Sequence, residues 1–354
     1  MVSVGCPKIK LLDYNAALHR APMPMPMPMP MSMSSSSSPP SSPQSQSPSL
    51  VARASPKLTL SPDDNRDYLF ADVIGLFGNE RLPPAFNASP RDGNAQLFPA
   101  RMQQANSCVA YSLSSISETH ARALRGIRHR LSPQFIYDRR SNDPRAGMYP
   151  REGTRLLLRH GICPEDDCPA ATGSQGDAYT CPANPAAAQR ATTLRCASFY
   201  RVATLKEAKV ALYNVGPILI VLPYFTDAAD TVKFWKAPST WRPESDTSSL
   251  HAVTVEAYDD GAGAFLVRNS WGTSWGSQGS FLLPYADFAL VLEAWVVLPV
   301  IPDSPPPSPT NPNHHHATCK KRKKKKTDWV LILLNVVVLG ALAWAAVSIG
   351  GFAP

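Results

Sequence analysis

This chain has 354 residues, and the composition of its two ends indicates that only the middle of the chain can form a compact fold. Met-Pro repeats and a Ser/Pro/Gln tract dominate residues 1–66, and proline, serine, asparagine, histidine and lysine dominate residues 303–326. Proline removes backbone donors, and serine and glutamine bury too little apolar surface to offset the entropy lost on ordering. We therefore expect a disordered tail at 1–66, a globular domain at 67–302 and a linker at 303–326.

The order of the periodic segments within the globular block indicates its fold class. Apolar residues at helical spacing follow Cys108, and further helices are predicted at about 152–160 and 205–213. Short runs rich in β-formers predict strands at 217–222, 251–256, 264–268 and 280–283. Helices followed mainly by strands are typical of an α+β fold.

A long apolar run lies close to the C-terminal end of the sequence. Trp329 to Phe352 are 24 residues without a charged side chain, enough for a helix to cross a hydrocarbon layer of about 30 Å. Lys320–Lys326 precede this run, and such cations mark the cytoplasmic flank of a membrane span. The sequence thus predicts a single-pass transmembrane helix at 329–352 that anchors the chain in a lipid bilayer, with the domain facing the cytoplasm.

The net charge says little about partners of the globular block. Seven of the eight net positive charges belong to Lys320–Lys326, which leaves +1 for the rest of the chain. We therefore expect no nucleic-acid partner. The N-terminus has no charged region followed by an apolar one, so no secretory signal peptide is predicted.

Seven cysteines without a signal peptide are expected to be reduced thiols by default. Four of them lie close together in the sequence, namely Cys163, Cys168, Cys181 and Cys196. Unpaired thiols, disulfides and a metal site are all open for these four, although the spacing lacks a Cys-x-x-Cys pair. We predict no cofactor and no bound metal.

The position of one further cysteine in the sequence indicates a reactive thiol. Cys108 stands at the start of a predicted helix, where the helix dipole and unpaired N–H groups favour a thiolate. A thiolate nucleophile needs a base to prime it and a group that orients the base. His251 opens one strand-like run and Asn269 follows another.

Two motifs around these residues resemble a known family. Arg268–Gly276 reads Arg-Asn-Ser-Trp-Gly-Thr-Ser-Trp-Gly and resembles the segment around the orienting asparagine of papain-like cysteine peptidases. The run His251-Ala-Val-Thr-Val resembles the segment of their catalytic histidine. The resemblance covers about two-thirds of the chain and is closest to the bacterial and viral branch of the family.

The resemblance implies a two-lobed fold in which a helical lobe carries Cys108 and a sheet or barrel lobe carries His251 and Asn269. Cys108 would be the nucleophile and His251 its proton shuttle. Asn269 would orient the imidazole, and Trp271 would shield that contact from water. Proteins or peptides would be the substrates.

The segment before the nucleophile departs from the family pattern. Family members carry a glutamine six residues before the cysteine, where this chain has Met102. We assign the oxyanion donor to Gln103 rather than Gln104. Glu256, in the histidine strand, is also unusual for the family. These departures leave open a catalytically impaired, membrane-tethered scaffold, and an exopeptidase or acyl-transfer enzyme is a third alternative. A helical inhibitory propeptide is not recognisable in residues 1–66.

Overall fold

The computed structural model describes residues 58–77, 81–89, 91–92, 95–142, 147–172, 176, 178–182, 184–223 and 250–301. All of them belong to one compact unit, Met1–Pro306, while a second unit, Pro307–Pro354, lies outside the described ranges. The predicted linker and the predicted span 329–352 therefore also lie outside them. None of the helices in the described ranges is long and apolar enough to cross a membrane. The transmembrane helix remains a prediction.

The helices of the described chain are α1 Phe70–Val73, α2 Cys108–Arg125, α3 Pro133–Tyr137, α4 Pro150–His160, α5 Pro185–Ala191 and α6 Leu205–Asn214. The strands are β1 Ala85–Asn87, β2 Arg91–Asp92, β3 Ala95–Gln96, β4 Cys196–Arg201, β5 Ile218–Pro223, β6 Leu250–Asp259, β7 Ala264–Arg268, β8 Ser280–Pro284 and β9 Glu293–Pro299. The α+β class is confirmed.

Seven of these strands form one antiparallel sheet. Its order is β4-β9-β5-β6-β7-β8, and β1 pairs with the far end of β6 through Phe86 opposite Tyr258. Strands β2 and β3 form a separate two-stranded ribbon. The centre of the sheet is therefore β5 and β6, and β6 is the strand that carries His251.

The sheet separates two apolar cores. Leu219 and Val221 of β5 face the core that contains α2 and α4, whereas Ile218 and Ile220 face the core on the other side, against α6. Successive strand residues point to opposite faces, so a strand covered on both sides must be apolar throughout. This explains the unbroken run Ile-Leu-Ile-Val-Leu in β5.

Helix α2 is held close to α4 by a glycine. A Cβ atom at Gly153 would lie 2.8 Å from both Leu113 and Val109 of α2, closer than real Cβ contacts allow. The apolar stripe predicted from the sequence is the contact face: Val109, Leu113 and Ile116 are fully buried. The helix that begins at Cys108 is thus wedged between α4 and the sheet.

Described residues before the predicted domain boundary at residue 67 pack on the domain. Leu58 is buried in the core that contains α2. The backbone N–H of Ser61 donates to Glu293 at 3.0 Å, and the Ser61 hydroxyl accepts from the Arg151 N–H at 3.0 Å. The end of the predicted tail therefore lies along the domain as part of its packing.

A buried histidine in α2 predicts a pH dependence of stability. His120 donates through Nε2 to the Val215 carbonyl at 3.1 Å, and burial lowers its pKa to about 4. The folded chain therefore excludes a proton that the unfolded chain binds below about 6.5, so the free energy of unfolding should fall by about 3 kcal/mol between those two pKa values as the pH drops. Below about pH 4 this loss should stop growing.

Denaturant unfolding from pH 7 to pH 4 tests this prediction on the wild type and on His120→Gln, which keeps a donor but does not titrate. We expect the pH-dependent loss to be smaller in His120→Gln by about 3 kcal/mol. If the free energy of unfolding changed with pH by the same amount in both proteins, the predicted role of His120 would be contradicted.

Candidate active site

A histidine and an asparagine meet on the sheet. His251 lies at the start of β6, and Asn269 follows β7, the neighbouring antiparallel strand. The Nε2–H of His251 donates to Oδ1 of Asn269 at 2.7 Å, and both side chains are buried. Since the amide oxygen accepts, the proton belongs on Nε2, and Nδ1 is the nitrogen available for proton transfer.

Aromatic rings cover this hydrogen bond. The indole of Trp271 stacks on the His251 ring at 4.7 Å between centroids and 21° between planes. Trp275 meets Trp271 edge-on at 5.2 Å, and Phe281 extends the row. Burial lowers the pKa of His251 to about 4, while the hydrogen bond to Asn269 acts in the opposite direction. We expect the ring to hold a second proton only beside a negative charge.

Cys108 occupies the first position of α2. The preceding residue, Ser107, makes no side-chain cap to the helix, and the first turn contains no acidic residue. The positive end of the helix dipole is therefore not neutralised locally, which favours an anion at this point. Cys108 is buried, with 1% of its surface exposed, and forms no disulfide.

The packing of α2 on β6 brings Cys108 and His251 to the same end of these elements. The Thr254 hydroxyl donates to the Ser112 carbonyl at 3.4 Å, one turn into the helix. Near the other end of the helix, Leu124 packs against Phe86, the strand partner of Tyr258. Helix and strand thus run in the same direction. In agreement, the residues flanking His251, Leu250 and Ala252, share an apolar cluster with Cys108.

Backbone hydrogen bonds tie the segment before Cys108 to the segment after Asn269. The N–H of Gln103 donates to the Ser270 carbonyl at 2.8 Å, and the N–H of Gly272 donates to the Arg101 carbonyl at 2.9 Å. Gly279, whose φ is +85°, accepts from the Asn269 N–H at 2.8 Å, and a Cβ there would lie 2.2 Å from Ala100. The loop that leads to Cys108 is thereby fixed against the loop that leaves Asn269.

Gln103 lies in this junction. Its Oε1 accepts from the Ser270 hydroxyl at 2.5 Å, and its Nε2 donates to the Ala105 carbonyl at 2.8 Å. The amide group has two N–H donors, so one hydrogen remains for another acceptor. Gln104 is exposed and has no comparable contacts to the Asn269 segment among the described hydrogen bonds. The geometry therefore favours Gln103 as the side chain held near the nucleophile.

Replacement of Gln103 tests the predicted role in oxyanion binding. If one oxyanion donor is lost, kcat in peptide hydrolysis should fall about 100-fold with a smaller change in KM. We expect this for Gln103→Ala, measured by steady-state kinetics. Gln104→Ala is the matched control and should leave both constants near the wild-type values. Equal effects of the two substitutions would contradict the assignment.

A buried ion pair adjoins Asn269, and this structure explains the unusual Glu256. Val255 pairs with Val267 and Ala257 with Leu266, so Glu256 is an extra residue in β6, a β-bulge. Its carboxylate lies 2.5 Å from Arg268, and both side chains are at most 5% exposed.

Ser89, which lies just after β1, is hydrogen-bonded to both members of this ion pair. Ser89 donates to Glu256 at 2.9 Å, and Arg268 donates to Ser89 at 3.2 Å and to the Phe98 carbonyl. Sequence reasoning did not find this network, because a bulge and a contact 167 residues apart along the chain leave no local pattern.

These elements define a class of site: a cysteine at a helix N-terminus and, at the same end of the helix–sheet packing, a histidine that is hydrogen-bonded to an asparagine. Residues 82–288 match the model of the papain family cysteine proteases. The chain belongs to that family, and the prediction of the family is confirmed.

Two curated relatives illustrate the extent of the similarity. A cathepsin L-like peptidase of Aedes aegypti is 37% identical over 76 residues, which are 20% of this chain and 21% of the relative. Cathepsin K of Mus musculus is 28% identical over 188 residues, 51% of this chain and 54% of the relative. The chain thus spans less than two thirds of the length of these relatives.

A solved structure shows the same fold. Xylellain, a cysteine protease from Xylella fastidiosa, matches 69% of this chain and 96% of its own, with a TM-score of 0.57 and 22% identity. Membership of the bacterial and viral branch stays a prediction.

Proposed function

We propose that this protein is a cysteine endopeptidase that hydrolyses peptide bonds through a thioester with Cys108. The observation that carries the proposal is the 2.7 Å hydrogen bond between His251 and Asn269 under the ring of Trp271, with Cys108 at the same end of the α2–β6 packing. Family membership supports the same reaction class.

In the first half of the reaction, the Cys108 thiolate attacks the carbonyl carbon of the scissile peptide bond. Negative charge develops on the carbonyl oxygen, where the Cys108 N–H and the second N–H of Gln103 are the candidate donors. His251 then passes the Nδ1 proton to the leaving amine, the C–N bond breaks, and a thioester remains on Cys108.

In the second half, the neutral His251 accepts a proton from water as the water oxygen attacks the thioester carbon. The carbon–sulfur bond breaks and the thiolate is restored as the partner of the imidazolium. Asn269 holds the ring in one orientation throughout, because its amide oxygen accepts from Nε2. Trp271 keeps water away from this bond.

A specific observation favours a second candidate, a catalytically impaired scaffold. Nε2 of Gln103 already donates to Ala105, which uses one of its two hydrogens away from a substrate. An enzyme with a weak oxyanion site would bind peptides and cleave them slowly.

Cleavage of a mixed peptide library by the full-length protein, with Cys108→Ala as control, tests the proposal between about pH 4 and pH 8. Internal cuts that vanish in Cys108→Ala support an endopeptidase. Single residues or dipeptides released from chain ends indicate an exopeptidase. Binding without cleavage by the folded wild type indicates the scaffold.

We also propose that residues 329–352 form a single-pass membrane anchor, with the peptidase domain facing the cytoplasm or the interior of a virus particle. The uncharged run and the preceding Lys320–Lys326 support this. Carbonate extraction of membranes should leave the full-length chain in the pellet and release a variant that lacks residues 329–352. Release of both proteins would contradict the anchor.

A further inference from the structure

Two cysteines and a carboxylate converge away from the active site. The sulfur atoms of Cys168 and Cys181 and a carboxylate oxygen of Asp138 all lie within 4.8 Å of one another. Asp138 follows α3, Cys168 follows the 3₁₀ turn Glu165–Asp167, and Cys181 precedes α5. Three separate stretches of chain thus bring two thiol sulfurs and a carboxylate oxygen close together.

A third thiol adjoins this group. Cys163 is fully buried and lies in the same small cluster as Cys168, with Cys181 packed against that cluster. All three belong to one small cluster with Phe135 of α3. Cys196 is different: it is buried in the core that contains α2, with its sulfur 3.9 Å from the Thr154 carbonyl.

The carboxylate of the group is oriented by other donors. Gln134 Nε2 donates to one oxygen of Asp138 at 2.6 Å, and the Cys181 N–H donates to the other at 2.8 Å. Each oxygen has two lone pairs, so both can still accept a metal. Hydrogen-bonded carboxylate ligands of this kind are typical of metal sites.

The group is also accessible. A cleft of about 350 Å³ opens beside it and is lined by Asp138, Cys168 and Cys181, together with Asp167. An ion therefore has an entry path, which a fully enclosed thiol cluster would lack.

We propose that Asp138, Cys168 and Cys181 form a zinc-binding site, with Cys163 as the candidate for the fourth ligand. Zinc prefers four ligands and accepts thiolate and carboxylate together, whereas calcium and magnesium select oxygen donors. On binding, each ligating thiol loses its proton to solvent and forms a sulfur–zinc bond, with no change of oxidation state.

The role of such a site is structural. The described residues between α4 and α5 form only turns and short 3₁₀ segments, and backbone hydrogen bonds join them to Arg130 and Ser132. A zinc ion would cross-link them to the end of α3, in the way that metals stabilise small segments with little core of their own. The inference does not depend on peptidase activity.

The test is a titration of the reduced full-length protein, first with Co²⁺ and then with Zn²⁺. We expect thiolate-to-cobalt charge-transfer absorption that disappears as zinc replaces cobalt, and one equivalent of zinc per chain by elemental analysis. Cys168→Ser and Cys181→Ser should each weaken zinc binding at least about 100-fold. Cys196→Ser, which removes a buried thiol outside the group, should bind as the wild type does.

Two results would overturn the proposal. One is the absence of stoichiometric cobalt or zinc binding by wild-type protein whose near-UV circular dichroism shows it to be folded. The other is a Cys168–Cys181 disulfide in protein purified without added oxidant, found by mapping unreduced peptides. Because both results come from the wild type, a variant that fails to fold does not affect the decision.

Discussion

Cys108→Ala should lower kcat/KM for peptide hydrolysis by at least about 10⁴-fold, the largest effect that any single substitution in this chain is expected to produce. Without the sulfur no thioester can form, and the remaining groups can only bind and polarise the substrate. The measurement is steady-state hydrolysis of a peptide cleaved by the wild type, at equal concentrations of folded protein.

Cys196→Ala is the matched control for this experiment. Cys196 is also buried, but it lies in the core at the start of β4 rather than at a helix N-terminus. Its replacement should change stability and leave the rate per folded molecule within a few-fold of the wild type. Residual activity of Cys108→Ala close to that of Cys196→Ala would show that another group is the nucleophile.

Glu256→Ala should lower the free energy of unfolding by about 3–5 kcal/mol, the largest stability effect that we expect. Arg268 would keep its charge in a site where its side chain is 5% exposed, with two neutral acceptors but no carboxylate. Urea unfolding measures the loss. Because Arg268 directly precedes Asn269, we also expect kcat to fall in the fraction that stays folded.

The double substitution Glu256→Leu with Arg268→Met separates charge from packing. Replacing both ions with apolar side chains of similar length should restore most of the stability, since no buried charge is left unpaired. The pair Lys209–Asp260, at 2.6 Å but partly exposed, supplies the comparison: Lys209→Ala should cost less than about 1 kcal/mol. A similar loss for Glu256→Ala and Lys209→Ala would contradict the account of the ion pair.

Elements with strong local periodicity were predicted closely. The helix after Cys108 ends at Arg125, and the strand predicted at 264–268 is β7 with the same bounds. The stripe of Val109, Leu113 and Ile116 is buried as a helical spacing requires. In these elements the local pattern and the tertiary packing agree, so they could be predicted from the sequence alone.

Elements that depend on distant partners were not predicted. Strand β9 pairs with both β4 and β5. The paired residues are far apart along the chain, so no local sequence pattern indicates these pairings. Strand β1 precedes α2 and yet joins the sheet at β6, so the order of helices before strands does not hold for the whole domain. The extended bounds of β6, Leu250–Asp259, follow from the same pairing.

The candidate site was likewise predictable from the sequence only in part. The motifs predicted His251 and Asn269 as site residues, and the structure places these two side chains in contact. The sequence could not show how Gln103 is fixed, because its partner Ser270 lies 167 residues away. Nor could it separate Cys196 from Cys163, Cys168 and Cys181, since spacing along the chain does not report which thiols share a cluster.

The measurement that tests the central claim most directly is alkylation of the full-length protein by iodoacetamide at a pH of about 5.5, where ordinary thiols are protonated and react slowly. Mass spectrometry of the digested protein gives the rate for each cysteine. The account predicts rapid labelling of Cys108, slow labelling of the half-buried Cys181, and loss of this difference in His251→Ala. Labelling of Cys108 no faster than Cys181 in the wild type would contradict a thiolate held beside His251.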